Sequence, residues 1–261
     1  MYYCLLLMTH LVFESLPVSS SGHLYLLERL TYRLTGGCFA LSQALNFLLH
    51  GPTSIILAVF FRKRWVPLVF NPVRCRYLIL KLMMLGLCAE APTLVFYFLF
   101  SRYEHLSSLF PLWVGFGITA GLLYSLRLCR VRQKTTIGPV DAFAIGCVQG
   151  IALLPGISRM GSTYVVGRWL GLSPRLSFCF SCTIEWPLIT SAFMRGVWDS
   201  VHGMPLQVTG IVEILSISIC LVFASMLSYR VLQWTESLMI RDRLWRLSFY
   251  MSIPFALSLV L

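Results

Sequence analysis

Glu14 to His23 reads ESLPVSSSGH and Leu154 to Thr163 reads LPGISRMGST, two short polar stretches in a chain that is otherwise almost unbroken hydrophobe. Both carry Leu-Pro followed closely by Val/Ile-Ser-x-x-Gly, at Val18-Ser19-x-x-Gly22 and at Ile157-Ser158-x-x-Gly161, about half the chain apart. Each combines a helix breaker, small hydroxyl residues and a strong functional group. Paired breaks in corresponding places are the sequence mark of an inverted-repeat membrane fold with a site near the bilayer midplane.

Of 261 residues 57% are hydrophobic and 12% charged, and the mean hydropathy is +0.78. No soluble domain of this length carries such a composition on its surface, so the chain is read as a polytopic membrane protein. The net charge of +11 is spread in short Lys/Arg runs between apolar segments, without the aromatic interleaving of a nucleic-acid-binding face, so no nucleic-acid partner is expected. The opening MYYCLLLMTHLVF lacks a basic n-region and is expected to belong to the mature fold. Nine cysteines lie scattered in apolar stretches, and only Cys179 and Cys182 have redox spacing. On buried helices they act as small hydrophobes, and no disulfide framework is expected.

Segments 39–61, 77–100, 108–129, 176–197, 208–232 and 244–261 are each near the twenty or so residues that cross a bilayer core. Stretches 1–34 and 140–171 differ, each holding two shorter apolar pieces around a Pro/Ser/Gly break, as a re-entrant hairpin does. The expected fold is therefore all-α: six transmembrane helices plus two re-entrant helical hairpins in one membrane domain, with inverted repeat halves of about 1–134 and 135–261. Basic residues cluster at Arg62, Lys63, Arg64, Arg74 and Arg76, at Arg127, Arg130, Arg132 and Lys134, and at Arg230, Arg241, Arg243 and Arg246. The positive-inside rule makes those loops cytoplasmic, which puts the first hairpin's mouth and both termini outside and the second hairpin's mouth inside.

The chemistry is expected in the breaks. Helix N-termini and free backbone N–H groups at a hairpin tip attract anions, phosphate above all. Gly22, Gly156 and Gly161 would let backbone approach a ligand, Pro17 and Pro155 end the helices, and hydroxyls come from Ser19, Ser20, Ser21, Ser158, Ser162 and Thr163. Arg159 supplies a planar fork suited to phosphate oxygens. An ionisable group at membrane depth costs on the order of 3 kcal/mol, so Glu14, His23 and Arg159 beside the breaks require a purpose. The competing reading is structural: an Arg159–Glu14 ion pair and helix-to-helix serine bonds.

At these residues the chain resembles the undecaprenyl-diphosphate phosphatases of the bacitracin-resistance type. Their first signature is similar to Glu14-Ser15-Leu16-Pro17-Val18-Ser19-Ser20-Ser21-Gly22-His23, and their second to Pro155-Gly156-Ile157-Ser158-Arg159-Met160-Gly161-Ser162-Thr163. Gly146 to Gly150, Phe180-Ser181 and Pro187 also fit. The resemblance implies a multi-pass enzyme of the bacterial inner membrane that hydrolyses a long-chain prenyl diphosphate among bilayer lipids, recycling a cell-wall lipid carrier. It implies Glu14, Ser20, His23 and Arg159 as catalytic residues, with Ser20 or His23 as the attacking group, and a homodimer is compatible with it. The family carries two glutamates four residues apart, and here the first is His10. The divalent cation that such a pair holds, Mg2+ or Ca2+, would fall to His10 and Glu14, with less charge and different selectivity. Met160 replaces a serine of the second signature.

Glu185-Trp186-Pro187 and His50-Gly51-Pro52 occupy corresponding spans and are expected to face each other, with Glu185 either compensating for the missing glutamate or pairing with an Arg or His. Glu90 is a further intramembrane acid. The Ser-Gly-His piece resembles the type-2 phosphatidic acid phosphatases, but the His their second signature needs is Val165 here. The alternative functions are a lipid-phosphate flippase or anion transporter of the same architecture, and a catalytically weak homologue.

Overall fold

The computed structural model describes residues 2–36, 43–103, 110–129, 133–202 and 210–261; Arg130 and Arg132 of the second basic cluster lie outside them. The described residues form helices α1 (Tyr2–Glu14), α2 (Ser20–Thr35), α3 (Gln43–Leu48), α4 (His50–Phe70), α5 (Pro72–Arg102), α6 (Leu112–Ser125), α7 (Pro139–Ile151), α8 (Arg159–Trp169), α9 (Pro174–His202), α10 (Ile211–Ile240) and α11 (Leu247–Val260). Among them there is no strand, only an isolated bridge between Lys134 and Leu172.

The helices begin and end where local chemistry dictates. Ser19 caps α2 by accepting from the Gly22 N–H, and Ser158 caps α8 by accepting from the Gly161 N–H. The shared Ser-x-x-Gly pattern is thus the same N-cap used twice, satisfying one orphan donor at each break. Gly36 ends α2 at φ 65°, a backbone that glycine adopts freely. Pro72 and Pro139 stand in first turns, where no N–H partner is lost. Pro67, Pro92, Pro187 and Pro254 lie within helices, as membrane helices tolerate.

Each of the two expected hairpin stretches holds two helices packed together around its break, α1/α2 and α7/α8. Four segments have the length and apolarity to cross a membrane: Leu45–Phe70, Pro72–Arg102, Pro174–His202 and Leu215–Ile240. Leu112–Leu128 and Leu244–Val260 are apolar but shorter. Val73, Tyr77 and Met84 on α5 and Ile219, Phe223 and Met226 on α10 are all exposed. Such surfaces suit lipid rather than water.

The packing exchanges partners between the halves. The first hairpin's α1 packs on α10, and the second hairpin's α7 packs on α5, while α4 pairs with α9 and α6 with α11. In α1/α10 the Ser15 and Ser228 hydroxyls meet at 2.6 Å and the Thr235 hydroxyl donates to the Ser15 carbonyl at 2.9 Å. In α7/α5 the Thr93 hydroxyl donates to the Gly146 carbonyl at 3.1 Å. The α4/α9 pair holds the Ser54–Thr190 hydroxyl contact at 2.8 Å and the Trp186 indole N–H on the Ser54 carbonyl at 3.1 Å. The expected facing of these two segments is therefore present.

Arg127 lies over Trp245, Arg64 reaches Cys179 and Arg168 pairs with Asp242 at 3.2 Å. These contacts bring the ends of α4, α6, α8 and α10 together with the starts of α9 and α11, so basic residues from three clusters share one end of the molecule. Arg33, near the end of α2, donates to the Leu261 carbonyl at the far end of α11. The last turns of α2 and of α8 therefore lie at opposite ends of the molecule. Cys179, Cys182 and the other described cysteines are free.

Candidate active site

The two breaks meet tip to tip. A Cβ at Gly22 would stand 2.9 Å from the Gly156 Cα, and one at Gly161 would stand 2.9 Å from the Pro17 carbonyl oxygen. Gly156 has φ 83°, and its carbonyl accepts from the Thr119 hydroxyl on α6 at 2.9 Å while that oxygen accepts from the Ser158 N–H at 3.1 Å. These glycines were expected to admit a ligand. Gly22 and Gly161 let the two tips touch, where a side chain would separate them, and Gly156 lets the second tip lie against Leu112 and Phe116 of α6.

Glu14, the last residue of α1, is the hub. Its Oε2 accepts from the Ser20 hydroxyl at 3.1 Å and lies 2.6 Å from His10 Nε2. Its Oε1 faces His50 Nδ1 at 3.1 Å and Arg159 Nη2 at 3.4 Å. Arg159 also points its Nε toward Glu185 Oε1 at 3.9 Å. Four side chains from α1, α2, α4 and α8 thus converge on one carboxylate, and a fifth from α9 stands behind the guanidinium. Arg159 makes the ion pair with Glu14 that the structural reading expects, and it also lines a cavity of about 490 Å3 with Ser20, Ser21, His10 and His50.

Not every candidate is brought in. Both His23 ring nitrogens are engaged away from Ser20 and Glu14: Nδ1 is 2.7 Å from the Ser19 carbonyl and Nε2 is 3.0 Å from the Tyr250 hydroxyl, and the ring stacks on Phe13 at 4.0 Å. Ser19 has φ 68°, an uncommon conformation for a side-chain-bearing residue that its surroundings must hold. His23 grips that carbonyl directly before Ser20. The Ser162 hydroxyl donates to the Ser158 and Arg159 carbonyls and the Thr163 hydroxyl to the Arg159 and Met160 carbonyls, so both serve helix α8. Ser19 and Ser158 line a smaller pocket with Ser20, Ser21, Arg159 and Glu185.

His50, Tyr250 and Thr119 were not assigned to the site from sequence. His50 had a signal in its Gly-Pro break, but nothing in sequence ties it to Glu14. Glu90 accepts from the Gln149 amide at 3.2 and 3.3 Å. Glu185 Oε2 is buried without a hydrogen-bond partner.

The residues fit a divalent cation. His10, Glu14 and His50 each offer one ligand atom, all within 4.8 Å of one another. His10 Nδ1 is buried with no hydrogen-bond partner, and its Nε2 stands 2.6 Å from Glu14 Oε2.

The chain matches the family described as Bacitracin resistance protein BacA over residues 10–258. It is 32% identical over 255 residues to the undecaprenyl-diphosphatase of Rhodopirellula baltica, covering 95% of this chain and 92% of that protein. It is 30% identical over 242 residues to the undecaprenyl-diphosphatase of Pelotomaculum thermopropionicum, covering 85% and 86%. Undecaprenyl-diphosphatase 4 of Bacillus thuringiensis is 31% identical over 194 residues, covering 73% and 71%. With its two hairpin tips, its acidic hub and this match along nearly the whole chain, the protein belongs to the bacitracin resistance protein BacA family.

Proposed function

We propose that the paired hairpin tips hydrolyse the terminal phosphoanhydride of undecaprenyl diphosphate, with Ser20 as nucleophile and Glu14 as the acceptor of its proton. The observation that carries this assignment is the Ser20 hydroxyl donating to Glu14 Oε2 at 3.1 Å. A hydroxyl so placed is activated by an adjacent base as it attacks. The Ser20 Oγ–P bond forms while the bond from phosphorus to the bridging oxygen breaks, and prenyl monophosphate leaves as an anion. Water then cleaves the phosphoserine, releasing phosphate and returning the proton to Ser20. Arg159, one-fifth exposed at the cavity wall, neutralises charge on the phosphoryl oxygens in both steps. His23 positions rather than reacts, holding the strained Ser19 carbonyl and through it Ser20. A divalent ion at His10, Glu14 and His50 would add charge neutralisation at the phosphate.

The chain is a multi-pass protein of the bacterial inner membrane, and this location suits a substrate that cannot leave the bilayer. Each methylene of the prenyl tail contributes about 0.8 kcal/mol to retention. The finer architecture is part of the same proposal: six crossings, with α6 and α11 as the short third span of each half, and two re-entrant hairpins in repeats of about 1–134 and 135–261. Supporting it are the exchanged pairs α1/α10 and α7/α5 and the matched Ser-x-x-Gly caps. The phosphatase names of the relatives favour hydrolysis over transport. The deciding experiment measures phosphate release from undecaprenyl diphosphate by the purified protein in detergent. Ser20→Ala and Arg159→Ala should each lower it by at least about a hundredfold, and near-normal turnover in either variant overturns the assignment.

A further inference from the structure

The Glu14 cluster carries more than a generic cation site. His10 is 1% exposed, its Nδ1 has no hydrogen-bond partner and its Nε2 meets Glu14 Oε2 at 2.6 Å; a buried nitrogen left without a partner costs about 1–3 kcal/mol unless a ligand takes it up. Residues 10 and 14 share a face of α1, and His50 closes the set from α4 with Nδ1 at 3.1 Å from Glu14 Oε1. The two imidazole rings stand edge to face, 4.8 Å apart at 73°.

The donor chemistry selects the ion. Mg2+ and Ca2+ take oxygen ligands, six or more of them, usually from several carboxylates. Here one carboxylate stands with two imidazoles, which suit the later first-row ions. With bonds of about 2.0–2.1 Å, the ligand atoms of a tetrahedral zinc site lie roughly 3.3 Å apart. The approaches of His10 to Glu14 Oε2 at 2.6 Å and of His50 to Glu14 Oε1 at 3.1 Å are a little shorter than that, and the set spans no more than 4.8 Å, so small side-chain shifts bring it to that spacing. Three protein ligands beside an open cavity that His10, His50, Ser20 and Arg159 line leave a coordination position for an outside oxygen, the mark of a catalytic rather than a structural ion.

We infer that His10, Glu14 and His50 form a two-histidine, one-carboxylate site for a borderline transition ion of the Zn2+ class, in place of the hard Mg2+ or Ca2+ that a pair of glutamates would take. The purpose of the ion rests on the phosphatase reading; its binding does not. Arg159 is the one cation in contact with this set among the described residues, and Glu185 faces its other side, so the added positive charge is partly offset before substrate arrives.

The test uses the full chain in detergent, stripped with chelator and then titrated with Co2+, Zn2+, Mg2+ or Ca2+. Metal content and the visible d–d absorption of bound Co2+ are the readouts. One Co2+ per chain with the strong visible band of a four- or five-coordinate, nitrogen-ligated ion is expected, displaced by equimolar Zn2+ and untouched by a hundredfold excess of Mg2+ or Ca2+. His10→Ala and His50→Gln should each weaken Zn2+ binding at least about tenfold in chains that still unfold cooperatively when stripped, and His10→Glu should shift preference toward Mg2+. Weak Co2+ binding with an octahedral, water-like spectrum, or Zn2+ affinity unaltered by His50→Gln, overturns the inference. Phosphate release assayed in parallel separates the two claims: tight Zn2+ binding without turnover sinks the phosphatase reading alone, whereas full turnover by a chain that takes up no Zn2+ or Co2+ when these are added sinks this one alone.

Discussion

Replacing Gly161 by alanine tests the contact between the hairpins more sharply than removing any charged group. The new Cβ would stand 2.9 Å from the Pro17 carbonyl oxygen, whereas a comfortable carbon-to-oxygen contact is about 3.3–3.6 Å. The partner is backbone at a proline, so it cannot rotate away, and α8 must retreat from the first tip by roughly half an ångström. Overpacking of this kind costs about 1–3 kcal/mol, offset by up to about 1 kcal/mol of helix propensity gained. Arg159 lies two residues away on the same helix and moves with it, while Ser20 and Glu14 stay with the other hairpin. A displacement near 1 Å costs about a hundredfold in rate, so a fall of roughly ten- to a hundredfold in kcat is expected with only a modest drop in stability. Gly121→Ala is the control, because nothing lies within 4 Å of its Cβ. Phosphate release and thermal unfolding in detergent are the assays. Full activity in Gly161→Ala would refute the claim that the two tips form one catalytic surface.

Three other outcomes follow from the geometry. His23→Ala should lower kcat about a hundredfold with KM little changed, Tyr250→Phe by less than about tenfold, and His23→Gln should recover part of the loss through its amide donor; an unrecovered loss equal to that of Ser20→Ala would make His23 the reacting group. Glu185→Leu should change turnover less than about tenfold, because Glu185 meets Arg159 at 3.9 Å while Glu14 meets four side chains; damage equal to that of Glu14→Gln would make Glu185 the compensating acid. A cysteine placed at Gly36 should be labelled from outside intact cells and one at Arg127 only after permeabilisation, and the reverse pattern would invert the orientation.

The sequence by itself determined the solvent, the helical class, the two breaks and the residues that matter in them. Hydropathy has a period and a length that survive without coordinates, and Pro, Gly and Ser act on the backbone within a few residues of where they stand. The doubled Ser-x-x-Gly is legible for that reason: an N-cap is a contact between residues three apart. Tertiary structure decided what each group does. Glu14 meets His50 across 36 residues and Arg159 across 145, and His23 meets Tyr250 across 227, distances over which no local rule applies. His23, expected to act with Ser20, hydrogen-bonds the Ser19 carbonyl and the Tyr250 hydroxyl, and of three glycines expected to face a ligand Gly22 and Gly161 stand against the other hairpin's tip while Gly156 stands against α6. Which half of the chain supplies each wall of the site depends on helices packing across the halves, and that is settled by the shapes of buried surfaces rather than by any pattern along one strand of sequence.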